Sequence, residues 1–152
     1  MANRPYTATE VAIANPVIRD FSRVNTWAYR LTGGRLGGKW THGEPILLMT
    51  VVGRKSGRKL TVPLVHLADG DREIVVASKA GMDKHPLWYL NLVSNPDVEV
   101  QIGSITRQMR AHTADEAERA HYWPKLVAFN KDFDDYQARA QRVIPVVILS
   151  PR

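Results

Sequence analysis

The stretch GRKSGRK, residues 53–59, sets Arg54, Lys55, Arg58 and Lys59 around two glycines and a serine, with no acid among them. Cations without acidic neighbours carry uncompensated charge. Glycine and serine add backbone N–H groups and a hydroxyl, the parts of an anion nest. The chemistry implied is the holding of a phosphate or carboxylate; the competing reading is a solvated hairpin turn. A Walker A loop is excluded, because Gly53 and Gly57 stand one residue too close and a strand, not a helix, follows. A second basic element is ASKAG, 77–81. Its Ser78 and Lys79 end an apolar strand, where a small hydroxyl, a cation and a glycine suit the mouth of a pocket, or equally a solvated turn. Trp88 and Tyr89, on the helix that follows, read as core or as an aromatic wall.

Other chemistries find no support. The chain has no cysteine, so disulfides, thiolate metal sites and cysteine nucleophiles are out. His42, His66, His85, His112 and His121 show no metal-ligand spacing and no carboxylate partner pattern, so no metal is expected and each reads as a surface or satisfied residue. There is no G-x-S-x-G elbow. Asp132, Asp134 and Asp135 read as the acidic start of a helix favoured by its dipole. The basic turn lacks interleaved aromatics, and no helix-turn-helix or RNP pattern is present, so no nucleic-acid partner is expected. The net charge of +6 is concentrated early. Up to residue 62, ten basic residues face only Glu10, Asp20 and Glu44, which points that region toward something anionic.

The elements that must position these residues follow from periodicity and punctuation. With 152 residues, 44% of them apolar, the chain suits one globular domain with a real core. Residues 1–14 read as a flexible N-terminal segment without the apolar core of a signal peptide, and 15–152 as a single domain. Asn15-Pro16 starts a helix over 16–32, with Val17, Phe21, Val24, Trp27, Ala28 and Leu31 as its apolar stripe, ended by Gly33-Gly34. Strands are predicted at 46–52, 60–68, 73–78, 97–102, 105–113 and 142–149, and helices at 86–95, from Thr113 to about 129, and at 131–141. Thr113 with Glu116 is the expected capping box, and Pro124 is expected to bend or split its helix. About six strands with few helices between them argue against a doubly wound parallel sheet. The expectation is a mainly β, α+β fold: an antiparallel barrel or strongly curled sheet with helices packed outside.

The succession GGRLGGKW, LLMTVVGRKSG, VPLVHL, ASKAG, HPLWYLNLVSNPDVEVQI, AHYWPKL and IPVVILSP resembles the deazaflavin (F420)-dependent nitroreductase family, over about residues 17–151. The resemblance implies a split β-barrel of the FMN-binding-like kind and coenzyme F420 as cofactor, with hydride passing from reduced F420 to a quinone-like, enone or nitro-aromatic acceptor. It implies that Arg54, Lys55, Ser56 and Gly57 hold the phosphate end, with Arg58 or Lys59 near the tail. Pro63, Val65, Val76, Ala77, Ser78 and Lys79 would line the deazaflavin site, with Trp88 close by. Ser78 is the candidate hydrogen-bond donor to the acceptor. Tyr136 is the candidate lid residue and proton donor, beside Asn130 and Phe133. Leu60 and Val65 stand where nitro-reducing members carry an arginine and a tyrosine, so quinone or enone reduction is the stronger expectation. The alternatives are an FMN-dependent split-barrel reductase and a non-catalytic carrier of F420 or lipid. Expected partners are a small-molecule acceptor and, through helix 16–32, peripheral contact with the inner face of the cell membrane. The chain would otherwise be cytoplasmic, as a monomer or dimer.

Overall fold

In the computed structural model, which describes residues 4–39 and 43–152 and only the backbone of 13–22, seven strands form one antiparallel sheet. They are β1 (Ile46–Val52), β2 (Lys59–Val65), β3 (Leu67–Asp69), β4 (Arg72–Val76), β5 (Asp97–Ile102), β6 (Ile105–Thr113) and β7 (Val146–Pro151). Their spatial order is β2-β1-β5-β6-β7-β4-β3. The two edge strands, β2 and β3, are consecutive in the chain and separated by a single residue, His66. A flat sheet would hold them five strands apart. The sheet must therefore curl until its edges meet, and β2 comes alongside β4. This is the expected mainly β fold, a curled half-barrel.

Alternation decides what fills the barrel. Asp97, Glu99 and Gln101 point out of β5, and Val98 and Val100 point in. Directly paired residues share a face, so Met49 meets Val62 and Val100, Val98 meets Met109, and Val75 meets Val147 in one interior cluster. One end is closed by α2 (Leu87–Ser94), whose Trp88 and Leu92 enter that cluster. Near the bend between β2 and β3 lies a buried polar group: His66 Nδ1 is 2.7 Å from Glu73 Oε2, with Arg107 3.4 Å from the other carboxylate oxygen. His66 thus has the carboxylate partner that sequence spacing did not reveal. His42 lies outside the described residues.

Three helices cover the outside. α3 (Glu116–Phe129) and α4 (Asp132–Arg139) bury Tyr122, Leu126 and Phe133 against the outer residues Ile74, Val76 and Ile148. α1 (Ala8–Thr32) lays Tyr29 on Ile46 and Leu48. It begins earlier than Asn15-Pro16 predicted, because Thr7 and Glu10 form a reciprocal capping box. α3 is capped by Asp115 with Glu118 rather than by Thr113 with Glu116, and it continues through Pro124 without splitting. The predicted strand 60–68 breaks at the His66 bend, and the last strand starts at Val146, four residues later than expected.

Much of the apolar stripe on α1 faces away from the barrel. Tyr29 is 1% exposed, whereas Val24, Trp27 and Leu31 are 67%, 65% and 69% exposed. The side chains of Val17 and Phe21 lie outside the described part.

Candidate functional site

The basic turn joins β1 to β2 and is folded by its own backbone. Gly53 N–H donates to Arg58 O at 2.8 Å, and Gly57 N–H to Gly53 O at 2.9 Å. Arg58 N–H donates to Ser56 Oγ at 3.2 Å. Gly57 sits at φ +70°, where a side chain would be strained, and a Cβ on Gly53 would stand 2.7 Å from Ser56 Oγ. Buried Asn91 on α2 fixes the turn from behind: its Oδ1 accepts from Arg54 N–H at 3.1 Å and from Arg54 Nη1 at 3.4 Å. What remains to face a ligand is the Lys55 and Ser56 amides, the Ser56 hydroxyl hydrogen and four exposed cations. Among the described residues no carboxylate pairs with Arg54, Lys55, Arg58 or Lys59. That unspent positive charge suits a phosphate or a carboxylate.

A second turn, at the end of β4, is strained. Lys79 and Ala80 lie at φ +44° and +53°, consecutive left-handed residues that are not glycine. Each such residue costs about 1–2 kcal/mol, so its surroundings must hold it. Arg142, in the link before β7, does so: its Nη2 donates to Ala77 O at 3.2 Å and Ser78 O at 3.0 Å, and its Nε to Met82 O at 3.0 Å. Its Nη1 donates to His85 Nδ1 at 3.1 Å. Gly81 closes against α4, its Cα so near Tyr136 that a Cβ would stand 2.7 Å from the Tyr136 carbonyl oxygen. The Ser78 side chain makes no capping bond within the turn, so its hydroxyl can donate elsewhere. Burial, then Lys84 and Arg142, hold the Lys79 ammonium below the ordinary lysine range. Burial, then Asp132, push the Tyr136 phenol above its ordinary value, so it keeps its proton at neutral pH.

The sheet sorts the predicted residues by face. Pro63 and Val65 pair with Leu48 and Ile46, on the outer face that α1 covers. Val76 is also an outer residue, packed with Phe133 and Tyr136. Ala77 and Trp88 lie together in the barrel interior, behind the Ser78 turn. α2 connects both turns, since Trp88 packs behind one and Asn91 holds the other. Asn130 is buried and its Oδ1 accepts from Asp132 N–H at 3.0 Å, so it caps α4. Of the three lid candidates, Tyr136 is the one that is only partly buried; Phe133 backs it from the core. Sequence reasoning missed Asn91 and Arg142. Both look like ordinary polar residues until the fold brings them to backbone groups far along the chain.

Residues 21–151 match the F420H(2)-dependent quinone reductase family. The chain belongs to that family. A Mycobacterium tuberculosis protein provisionally named an F420H(2)-dependent quinone reductase is 45% identical over 118 residues, 78% of this chain and 99% of the relative. A solved F420-H2 dependent reductase, FDR-A, is 39% identical with a TM-score of 0.65, covering 70% of this chain and 94% of that one. A structure described as a domain-swapped dimer is 33% identical with a TM-score of 0.68, over 90% and 99%. The quinone reductase family places this chain among oxidoreductases, and the two solved structures share its split-barrel-like fold.

Proposed function

We propose that this member of the quinone reductase family binds reduced coenzyme F420 and passes its hydride to a quinone-like acceptor. The observation that carries the reading is the pair of turns: an uncompensated cationic turn held by Asn91, and beside the same helix a strained turn in which Ser78 and Lys79 are half-buried. Arg54, Lys55, Ser56, Gly57 and Arg58 would hold the phosphate end of the cofactor by charge-assisted hydrogen bonds. Lys79, with half-buried Pro63 and Val65, would flank the ring, and buried Val76 would back it from beneath Phe133 and Tyr136. When bound, F420 supplies the hydride. The Ser78 hydroxyl orients the acceptor carbonyl, and the Tyr136 phenol, kept protonated by burial, carries the proton that the reduced acceptor needs.

Titration with F420 beside FMN, followed by menadione added to the complex with reduced F420, tests this reading. Saturable F420 binding and menadione-dependent return of the oxidised absorbance support it; binding without turnover favours a carrier, and tight FMN binding favours the flavin alternative. Lys55→Ala should weaken F420 binding about five- to tenfold, more than loss of an exposed lysine elsewhere such as Lys131. Equal effects would remove the turn from the site.

We further propose that the exposed α1 stripe rests on an anionic membrane surface. Val24, Trp27 and Leu31 lie near exposed Arg23, the mixture of apolar wedge and cation that suits an interfacial helix. No helix among the described residues is long and apolar enough to cross a membrane. Co-sedimentation with vesicles containing phosphatidylserine, and not with neutral vesicles, is expected, with at least a fivefold loss for Trp27→Ser. A concentration-dependent dimer that shields Trp27 from quenchers, without vesicle binding, would give the stripe to a second copy instead.

A further inference from the structure

The site described so far draws on residues 53–142, yet one side chain reaches it from the start of the chain. The Tyr6 hydroxyl donates to Ala80 O at 2.8 Å, across 74 positions of sequence. Its ring lies under the Arg139 guanidinium, 4.5 Å from the carbon to the ring centroid. Arg139 stands one helical turn beyond Tyr136 on α4. Tyr6 therefore joins the strained Ser78–Ala80 turn to the helix carrying the proposed proton donor.

Its placement is built. Arg4 grips Glu10 through both carboxylate oxygens, at 3.0 and 2.6 Å, and Thr7 N–H donates to Glu10 Oε2 at 2.7 Å. These bonds fold residues 4–7 onto the first turn of α1 and hold the Glu10 carboxyl down to about 2. At the other end of α1, Arg30 Nη2 reaches Thr61 Oγ1 on β2 at 2.6 Å. α1 thus runs from β2, beside the cationic turn, to the Ala80 turn, pinned at both ends.

We propose that Tyr6 is a specificity-determining residue of the acceptor site, forming the wall beside Ser78 and Tyr136 that limits the size of the quinone admitted. The proposal rests on the reductase reading for its ligand. The cationic turn that would hold the cofactor is anchored separately, by Asn91, so acceptor choice and cofactor affinity should separate. Removing the ring should favour large acceptors without loosening F420. Removing the hydroxyl alone should free the Ala80 turn and leave the wall standing.

The test compares wild type, Tyr6→Phe and Tyr6→Ala. In cofactor-free protein, amide exchange at Gly81 and Met82, which donate to Ser78 O and Lys79 O, should quicken about five- to tenfold in both variants. Menadione and a menaquinone with a short isoprenoid chain are then compared, by kcat/KM with reduced F420 and by calorimetric Kd without turnover. Tyr6→Ala should shift the ratio at least fivefold toward the longer quinone, with F420 Kd unchanged within twofold, and Tyr6→Phe should not. Faster exchange with an unchanged ratio would make Tyr6 a structural anchor and overturn the proposal. An unchanged ratio with unchanged exchange would make it a surface residue and overturn it equally. Quinone binding with the shifted Kd ratio but no turnover in wild type would sink the reductase reading while upholding the Tyr6 wall; no quinone binding at all would sink both.

Discussion

Arg142→Ala should lower the unfolding free energy by about 2–4 kcal/mol and reduce kcat/KM for a quinone about a hundredfold. Three backbone carbonyls, those of Ala77, Ser78 and Met82, accept from this one guanidinium. Hydrogen bonds from a charged donor contribute about 1.5–3 kcal/mol each; the lower total allows for water replacing the partly exposed side chain. In a chain of this size the loss is about 5–15 °C in Tm. The kinetic effect has a separate cause. Lys79 and Ala80 hold a conformation that local preference opposes, so without the staple the turn relaxes and Ser78 moves. A displacement of about 1 Å at a positioning residue is enough for a hundredfold. Arg142→Lys keeps the charge but has no planar fork to span three carbonyls, and should recover part of the stability and little of the rate. Full activity in the alanine variant, with Tm unchanged, would show that the turn holds itself.

The same staple carries a pH dependence. Arg142 Nη1 donates to His85 Nδ1, which requires a lone pair on that nitrogen. Burial, and then the neighbouring Arg142 charge, hold the His85 pKa below its ordinary 6.5. A depressed folded-state pKa means a contribution present above about pH 6.5 and lost as pH falls through the lower folded value. Thermal stability should therefore decline on the acid side of 6.5, and His85→Gln, which keeps an acceptor without the titration, should flatten that part of the profile.

The parts of this molecule legible in its sequence are those that depend on local chemistry. DVEVQI alternates because one face of β5 fills the barrel, and the turn at 53–59 advertises its charge directly. The closure of the sheet was legible only as a class: nothing local to His66 says that the strands on either side of it become opposite edges. The α1 stripe shows the limit more sharply. Val24, Trp27 and Leu31 have the spacing of a core face, but periodicity states only that a helix has an apolar side, not which surface receives it. The barrel instead takes Tyr29, whose hydroxyl accepts from Gly103 N–H at 2.8 Å, a bond that no window of sequence around residue 29 contains. Asn91, Arg142 and Tyr6 escaped for the same reason: their partners lie 37, 60 to 65, and 74 positions away.

Gly81→Ala should cost about 2–5 kcal/mol and displace α4 from the Ser78 turn. Two penalties combine. At φ +79° an alanine occupies the left-handed region, at about 1–2 kcal/mol. Its Cβ would also stand 2.7 Å from the carbonyl oxygen of Tyr136 and 2.9 Å from its Cα. Those are backbone atoms of a helix, which cannot swing aside as a flexible side chain would, and overpacking of this kind costs about 1–3 kcal/mol. Relief requires α4 to move outward, carrying Tyr136 and Arg139 with it, so the proposed proton donor and the proposed Tyr6 wall lose their places together. Quinone turnover should fall by at least tenfold while F420 affinity, which we assign to the turn anchored on Asn91, changes little. Gly57→Ala is the control: it is strained at φ +70° but meets nothing within 4 Å, so it should pay the conformational penalty alone and disturb cofactor affinity rather than turnover. If Gly81→Ala and Gly57→Ala lowered stability equally and left turnover alike, the contact with α4 would have no part in holding the site.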